Sequence, residues 1–289
     1  MPQWVSSIFL SLFVLLHAAA TAVSAFSLSS FPSLLPSTYT IHEVPIDQSS
    51  PDNTQSTTSI GERIKNGESI IQIEDIVTPD ECKYIIEDVL RHDAEPTTLE
   101  KPGLVRLPTR AAAERASAAN IPCAAPLSAD VDNLLHVILK RTASVMTEQI
   151  PSISEVLFDG ESVCRLLDTE RLKFSSREPA INIYTPGGEF LAHKDAQAIT
   201  VLIPLSCPDQ FQGGGTSFWS QDSRGHRVED PTIILKPSAG TAMLFGGCVT
   251  HAGVSVEEGT RVVFVASFSC ATEVSPVILE HRDIYGDSL

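Results

Sequence analysis

The second half of the chain, from residue 172 onward, is a series of short apolar segments separated by turn-forming residues. Residues 180–184 alternate in polarity and stop at a Pro-Gly-Gly turn, and residues 199–205 form an almost continuous apolar run of the kind buried on both faces of a sheet. Further segments with strand character lie at residues 190–193, 216–219, 232–235, 241–245 and 261–268. Seven or so short strands with regular turn signals favour a sandwich or flattened barrel of the jelly-roll type.

Two amphipathic helices are expected before this region. Thr78 is a good N-terminal cap, and it is followed by a proline and two acidic residues, which favour the first turn of a helix. Apolar residues then recur at helical spacing through Leu90, and a second helix is predicted over residues 128–146. Residues 70–73 are predicted to form a strand and residues 104–125 a loop with a short helix. The predicted fold class is α+β but mainly β, with the N-terminal helices buttressing one side of the jelly-roll core.

The N-terminal segment has the composition of a targeting sequence. Residues 4–26 carry no Asp, Glu, Lys or Arg, and a short apolar centre is followed by small residues ending in Val-Ser-Ala. We therefore interpret residues 1–25 as a signal peptide, with an uncleaved signal anchor as the alternative. The expected location is the secretory pathway, in the endoplasmic reticulum or outside the cell. A Ser-rich, acid-poor run after Phe26 also resembles part of a two-part plastid presequence.

The rest of the chain divides by composition. Residues 26–67 are interpreted as a low-complexity linker with a possible transit segment, residues 68–272 as one folded domain and residues 273–289 as a C-terminal tail. The 36 acidic residues outnumber the 20 basic ones, which argues against a nucleic-acid partner. Membrane contact is expected only if the N-terminal segment is retained. Six scattered cysteines without a Cys-x-x-Cys pair argue against a zinc cluster and allow one or two disulfides.

A His-x-Asp sequence marks the candidate metal site. His193 and Asp195 are two positions apart on an extended segment, so their side chains can point to the same face and toward one ion. His251, which follows the predicted strand at residues 241–245 and a Gly-Gly bend, is the candidate third ligand. Two imidazoles and one carboxylate leave about three coordination positions open, as in non-haem Fe(II) oxygenases. The same ligand types also suit zinc.

Arg261 favours iron over zinc. It opens the last predicted strand, ten residues after His251, and a buried cation at this position needs a counter-charge. The far carboxylate of 2-oxoglutarate would supply that charge in a bidentate arrangement. Tyr184 is in phase with Asn182 and could place its hydroxyl on the same carboxylate. In the competing interpretation, Arg261 pairs with Glu257 or Glu258 and Tyr184 is a packing residue.

Five segments resemble the catalytic domain of prolyl 4-hydroxylases within the 2-oxoglutarate/Fe(II) dioxygenase superfamily. They are residues 73–82, 183–195, 214–218, 236–245 and 251–261. The resemblance implies a double-stranded β-helix core, Fe(II) on His193, Asp195 and His251, and 2-oxoglutarate on Arg261 and Tyr184. It also implies dioxygen as cosubstrate and L-ascorbate as reductant.

The function expected from these observations is hydroxylation of a C–H bond, with a peptidyl proline in a peptide or protein as the first choice of substrate. One alternative is a hydroxylase of a small metabolite or free amino acid on the same scaffold. An alternative of another class is a non-catalytic metal-binding jelly-roll module used for recognition. An assay of succinate release separates the three: release depends on a peptide in the first case, depends on a small molecule in the second and does not occur in the third.

Overall fold

Two antiparallel sheets form the centre of the fold in the computed structural model, which describes residues 38–47, 58–91, 100–221 and 226–271. The strands in these residues are β1 (Ile41–Pro45), β2 (Ser69–Ile73), β3 (Leu104–Pro108), β4 (Leu172–Phe174), β5 (Ala180–Tyr184), β6 (Phe190–His193), β7 (Ile199–Pro204), β8 (Phe211–Gly213), β9 (Thr216–Trp219), β10 (Ile233–Leu235), β11 (Ala242–Gly246), β12 (Thr250–Gly253), β13 (Val256–Gly259) and β14 (Arg261–Cys270). The helices are α1 (Ile60–Lys65), α2 (Pro79–Val89), α3 (Arg110–Ala118), α4 (Ala129–Glu148), α5 (Pro151–Leu157) and α6 (Val163–Asp168).

The large sheet has the strand order β1-β2-β11-β7-β14-β5-β3, with β4 pairing the end of β14, and the small sheet has the order β10-β9-β12-β6. The chain crosses repeatedly between the sheets, so that β5, β7, β11 and β14 lie in one and β6, β9, β10 and β12 in the other. These eight strands form the predicted double-stranded β-helix, or jelly roll, and they confirm the mainly β fold class. Strands β8 and β13 make a separate two-stranded ribbon.

Side chains from both sheets share one apolar core. The rings of Phe218 on β9 and Phe245 on β11 meet edge to face, with their centroids 5.2 Å apart. Met243 and Val263 from the large sheet belong to the same buried cluster. Because successive side chains of a strand point to opposite faces, these residues define the inner face of the large sheet.

The other face of the large sheet packs against the helical part. Every residue of β14 is buried, which a strand achieves only when both of its faces are covered. On the outer face, Phe268 contacts Phe158, which follows α5, and Phe174 of β4, at centroid distances of 6.0 and 5.5 Å. The helices therefore buttress one side of the jelly roll, as predicted.

The two predicted helices are confirmed with small shifts at their ends. Helix α2 begins after Thr78, whose hydroxyl accepts a hydrogen bond from the backbone N–H of Glu81, while the Glu81 carboxylate accepts one from the N–H of Thr78. Helix α4 covers Ala129–Glu148, compared with the predicted residues 128–146. Both helices could be predicted because their caps and apolar spacing are local features of the sequence.

Ordered structure begins earlier than the predicted domain start at residue 68. Strand β1 pairs with β2 along its whole length, and α1 has a capping box formed by Ser59 and Glu62, although both elements lie in the predicted linker, residues 26–67. The capping box was a usable signal, whereas β1 is short, has no buried residue and gains its order from pairing with β2. Residues 1–25, 26–37, 48–57 and 273–289 of the predicted targeting, linker and tail segments lie outside the described residues.

The segment 104–125 contains more regular structure than predicted. Strand β3 pairs with β5 at the edge of the large sheet, and α3 follows it directly. The sequence of β3, Leu-Val-Arg-Leu-Pro, has no clear alternation, so its strand conformation depends on β5. The six cysteines all lie in the described residues and form no disulfide there. No helix of the described residues is both long enough and apolar enough to cross a bilayer.

Candidate metal and cosubstrate site

The two candidate histidines lie opposite each other on neighbouring strands of the small sheet. His193 ends β6 and His251 is near the start of β12, and the two residues are paired in the antiparallel register. Their ring centroids are 4.3 Å apart. Asp195 follows two residues after His193, so the extended backbone brings its carboxylate back to the same side.

The three side chains lie close enough to hold one ion. The Nε2 atom of His193 is 3.4 Å from Asp195 Oδ1, and the Nε2 atom of His251 is 3.6 Å from Asp195 Oδ2. One donor atom from each residue lies within 4.8 Å of the other two. Metal–ligand distances of about 2.0–2.2 Å place neighbouring donors roughly 3–4 Å apart, so this geometry fits a single first-row metal ion.

Backbone carbonyls fix the orientation of both imidazoles. Nδ1 of His193 donates to the carbonyl oxygen of Leu191 at 2.7 Å, and Nδ1 of His251 donates to that of Val249 at 3.1 Å. Because a carbonyl can only accept, Nδ1 carries a proton in both rings, and Nε2 is the nitrogen that faces Asp195 and can bind a metal. Thr200 donates a hydrogen bond to Asp195 Oδ2 and orients the carboxylate in the same way.

The protonation states also suit metal binding. Burial alone would raise the pKa of Asp195, but the imidazole of His251, the hydrogen bond to His193 and the one from Thr200 hold it well below its usual value. Burial and repulsion by His193 lower the pKa of His251 to about 4. Burial also acts to lower the pKa of His193, but its hydrogen bond to Asp195 outweighs this effect and raises it. At neutral pH the site therefore offers an anionic carboxylate and a neutral His251 imidazole, the forms that bind metals.

Arg261 and Tyr184 lie on the large sheet, across the pocket from the histidines. They are paired residues of β14 and β5, and the Arg261 guanidinium lies 5.1 Å from the centre of the Tyr184 ring. Arg261 is only 3% exposed, and Nη2 donates a hydrogen bond to the hydroxyl of Thr216 at 2.9 Å. Both residues line the same cavity as His193, Asp195 and His251, so the structure brings all five predicted site residues together.

No carboxylate in the described residues forms an ion pair with Arg261. The competing interpretation is not supported, because Glu257 and Glu258 are exposed on β13 and Glu258 instead accepts a hydrogen bond from Gln212. Burial lowers the pKa of Arg261, because it disfavours the charged form. A buried guanidinium of this kind is costly until an anion joins it.

The cavity is lined on one side by Arg261 of the large sheet and on the other by the two histidines of the small sheet. Gly253 on β12 also lines the cavity, and a Cβ atom there would press on the Tyr184 hydroxyl at 3.0 Å and on Phe190 Cβ at 3.1 Å. The residues present therefore fit Fe(II) together with a dicarboxylate such as 2-oxoglutarate.

Several residues that line the pocket or contact its candidate ligands were not foreseen from the sequence. Thr200 is a polar residue inside an apolar run, and Thr216 follows a Gly-Gly-Gly turn, so both had a weak local signal. Arg106 and Glu178 had no local sequence signal. They line the pocket because β3 pairs with β5, which brings both residues beside it.

Comparisons with known proteins give matches among solved structures. No protein-family model matches the sequence, and no curated protein matches it. An oxidoreductase of the 2OG-Fe(II) oxygenase family from Burkholderia pseudomallei is 14% identical, with a TM-score of 0.41, over 72% of this chain and 87% of that one. A prolyl hydroxylase from Trichoplax adhaerens, in complex with a hypoxia inducible factor peptide fragment, is 10% identical, with a TM-score of 0.46, over 74% of this chain and 88% of that one.

A third match is HygX from Streptomyces hygroscopicus, solved with nickel and 2-oxoglutarate bound. It is 13% identical, with a TM-score of 0.46, over 80% of this chain and 96% of that one. At identities of 10–14%, the function of this chain has to be inferred from the residues of its own pocket.

Proposed function

We propose that this protein is a 2-oxoglutarate- and Fe(II)-dependent dioxygenase that hydroxylates a C–H bond. The observation that carries the proposal is the shared pocket of a His-Asp-His cluster and a buried arginine without a carboxylate partner in the described residues. A metal site alone would not need Arg261, and a buried guanidinium without a carboxylate partner is costly until an anion binds beside it.

Each residue has a separate task in this proposal. His193, Asp195 and His251 would hold Fe(II) on one side and leave about three positions for cosubstrate and dioxygen. Arg261 would bind the far carboxylate of 2-oxoglutarate, with the hydroxyls of Thr216 and Tyr184 as additional hydrogen-bonding groups. Bound iron, 2-oxoglutarate and dioxygen supply the oxidising chemistry, with succinate and carbon dioxide as the products of the cosubstrate.

Apolar residues complete the pocket. Phe190, Leu202 and Val265 lie among its lining residues, next to the charged groups. They keep bulk water away from the reacting centre and strengthen the attraction between Arg261 and a bound anion.

The substrate that we propose is a peptidyl proline, on the basis of the sequence resemblance to prolyl 4-hydroxylases, and L-ascorbate is proposed as the reductant. A small metabolite or a free amino acid is the alternative substrate. A recognition module that binds metal without turnover is the alternative of another class.

Succinate release by the purified protein tests the proposal. The assay contains Fe(II), 2-oxoglutarate and ascorbate, and compares proline-rich peptides with free amino acids and other metabolites. We expect turnover that disappears in His193→Ala and persists in His136→Ala, since His136 is exposed on α4. If only metabolites stimulate succinate release, the substrate is a small molecule and not a peptidyl proline. If the protein binds metal but neither binds nor turns over 2-oxoglutarate, the proposal that it is a dioxygenase is refuted.

A further inference from the structure

A second guanidinium lines the pocket and has no role in holding the metal or the cosubstrate as proposed above. Arg106 on β3 is 10% exposed at its side chain and borders the same cavity as the His-Asp-His cluster and Arg261. Its Nε donates a hydrogen bond to Asn182 Oδ1 at 2.9 Å, and its Nη2 donates one to Glu178 Oε1 at 3.0 Å. These two bonds fix the plane of the guanidinium.

The remaining nitrogen of Arg106 has no hydrogen bond within the described part of the chain. A guanidinium has five N–H donors, and two of them are carried by Nη1. Glu178 does not need that nitrogen, because its Oε2 already accepts hydrogen bonds from the backbone N–H and the hydroxyl of Ser267, each at 2.7 Å. Arg106 is therefore held firmly on one side while donors on the other side stay available.

The ring of Phe190 lies between Arg106 and the candidate metal ligand His193. Its Cζ atom lies 5.3 Å from the centre of the Phe190 ring, and that ring is 4.6 Å from the ring of His193. Asn182, which holds Arg106, also donates a hydrogen bond to the Tyr184 hydroxyl at 3.4 Å. A molecule that reaches the metal site through this pocket would therefore come within reach of Arg106.

We propose that Nη1 of Arg106 binds an acceptor oxygen of the primary substrate, either a peptide carbonyl or a carboxylate, and so determines which substrate carbon faces the metal. This inference rests on the oxygenase function proposed above. The oxygen would receive a hydrogen bond from a positively charged and preorganised donor, which is stronger than one between neutral groups. Because the pocket already holds Arg261 for the cosubstrate, Arg106 adds selectivity for the second molecule.

The test compares Arg106→Gln and Arg106→Lys with the wild type and with Arg110→Gln, a matched change at an exposed residue of α3. Binding of Mn(II) and 2-oxoglutarate is measured first by thermal shift. Succinate release is then followed with C-terminally amidated proline-rich peptides, which offer carbonyls, and with free amino acids, which offer a carboxylate. We expect unchanged cosubstrate binding and a KM for the stimulating probe that rises about tenfold or more in Arg106→Gln.

The set of probes that stimulates the wild type identifies the acceptor as a carbonyl or a carboxylate. The double variant Arg106→Gln/Glu178→Gln guards against misfolding, because it removes both charges of the pair and should show the same rise in KM. The inference is overturned if neither probe set stimulates the wild type, if KM is unchanged in both Arg106→Gln variants, or if 2-oxoglutarate binding weakens instead. Failure of the wild type to bind 2-oxoglutarate would overturn the proposed function itself.

Discussion

Arg141 and Arg261 are both buried, but their surroundings differ completely. Arg141 on α4 forms a bidentate ion pair with Glu81 of α2, with distances of 2.9 and 2.8 Å, and also donates to the carbonyl oxygen of Ile76. Arg261 has the hydroxyl of Thr216 and the face of Tyr184, and no acidic partner in the described residues. The charge of Arg141 is paired within the fold, although its buried Nε has no hydrogen-bond partner in the described residues. The charge of Arg261 is paired only when an anion binds.

A structural charge and a binding charge differ in whether the fold itself supplies the partner. Glu81 is 1% exposed and also caps helix α2 through the backbone N–H of Thr78, so the Arg141–Glu81 pair joins two helices. Removing one partner of such a pair leaves an uncompensated buried charge. Removing Arg261 instead takes away a charge that the fold does not compensate, so the loss should appear in binding rather than in stability.

The largest effect is expected for Arg141→Met. It leaves the Glu81 carboxylate buried without its partner, which typically costs about 3–5 kcal/mol. Urea denaturation should show a lower unfolding free energy, with 2-oxoglutarate affinity unchanged in the folded fraction. If the unfolding free energy falls by less than about 1 kcal/mol, the Arg141–Glu81 pair contributes little to stability. Arg141 would then not differ from Arg261 in its structural role.

Arg261→Met is the matched change in the pocket. The affinity for 2-oxoglutarate should fall by roughly 10- to 100-fold, because charge-assisted hydrogen bonds are worth about 1.5–3 kcal/mol. Unfolding free energy without ligand should be unchanged or higher, since an unpaired buried charge is removed. Isothermal titration and denaturation of the same sample measure both quantities, and a large loss of stability with unchanged affinity would reverse our assignment.

A pair of threonines extends the comparison. Thr200 donates to Asp195 in the pocket, while Thr142 donates to the carbonyl oxygen of Ile138 within α4, and both are fully buried. Thr200→Val should weaken Fe(II) or Mn(II) binding about tenfold, because the carboxylate loses the group that orients it. Thr142→Val should leave metal binding unchanged. Equal metal affinities in the two variants, measured by competition with a chelator, would rule out this role for Thr200.

The smallest effect concerns pH. Burial would raise the pKa of Glu81, but hydrogen bonds from Arg141 and Thr78 outweigh it, so the pKa lies below its ordinary value of 4.5. A carboxyl whose pKa is lower in the folded state stabilises the fold above its unfolded pKa and loses that contribution as pH falls through the folded pKa. The wild type should therefore exceed Glu81→Gln in unfolding free energy by the largest amount at neutral pH. This difference should become smaller as the pH falls below 4.5. A constant difference across this range would show that Glu81 does not titrate with folding.

Much of the fold followed from local signals. Helix α2 could be predicted from its cap, and β7 from its apolar run, because propensity and burial act there in the same direction. Strands β1 and β3 could not be predicted, since their sequences are weakly periodic and they become strands by pairing with β2 and β5. The same limit applies to Arg106, whose position beside the pocket depends on the pairing of β3.

The sequence by itself determined the chemistry that this protein can carry: two imidazoles, one carboxylate and an arginine, with the spacing of His193 and Asp195 placing them on one side of a strand. Only the tertiary structure decided that His251 lies opposite His193 and that Arg261 faces them without an acidic partner in the described residues. The reason is physical, since spacing along a strand is fixed by backbone geometry, whereas contacts between sheets depend on strand pairing and on packing across the whole core.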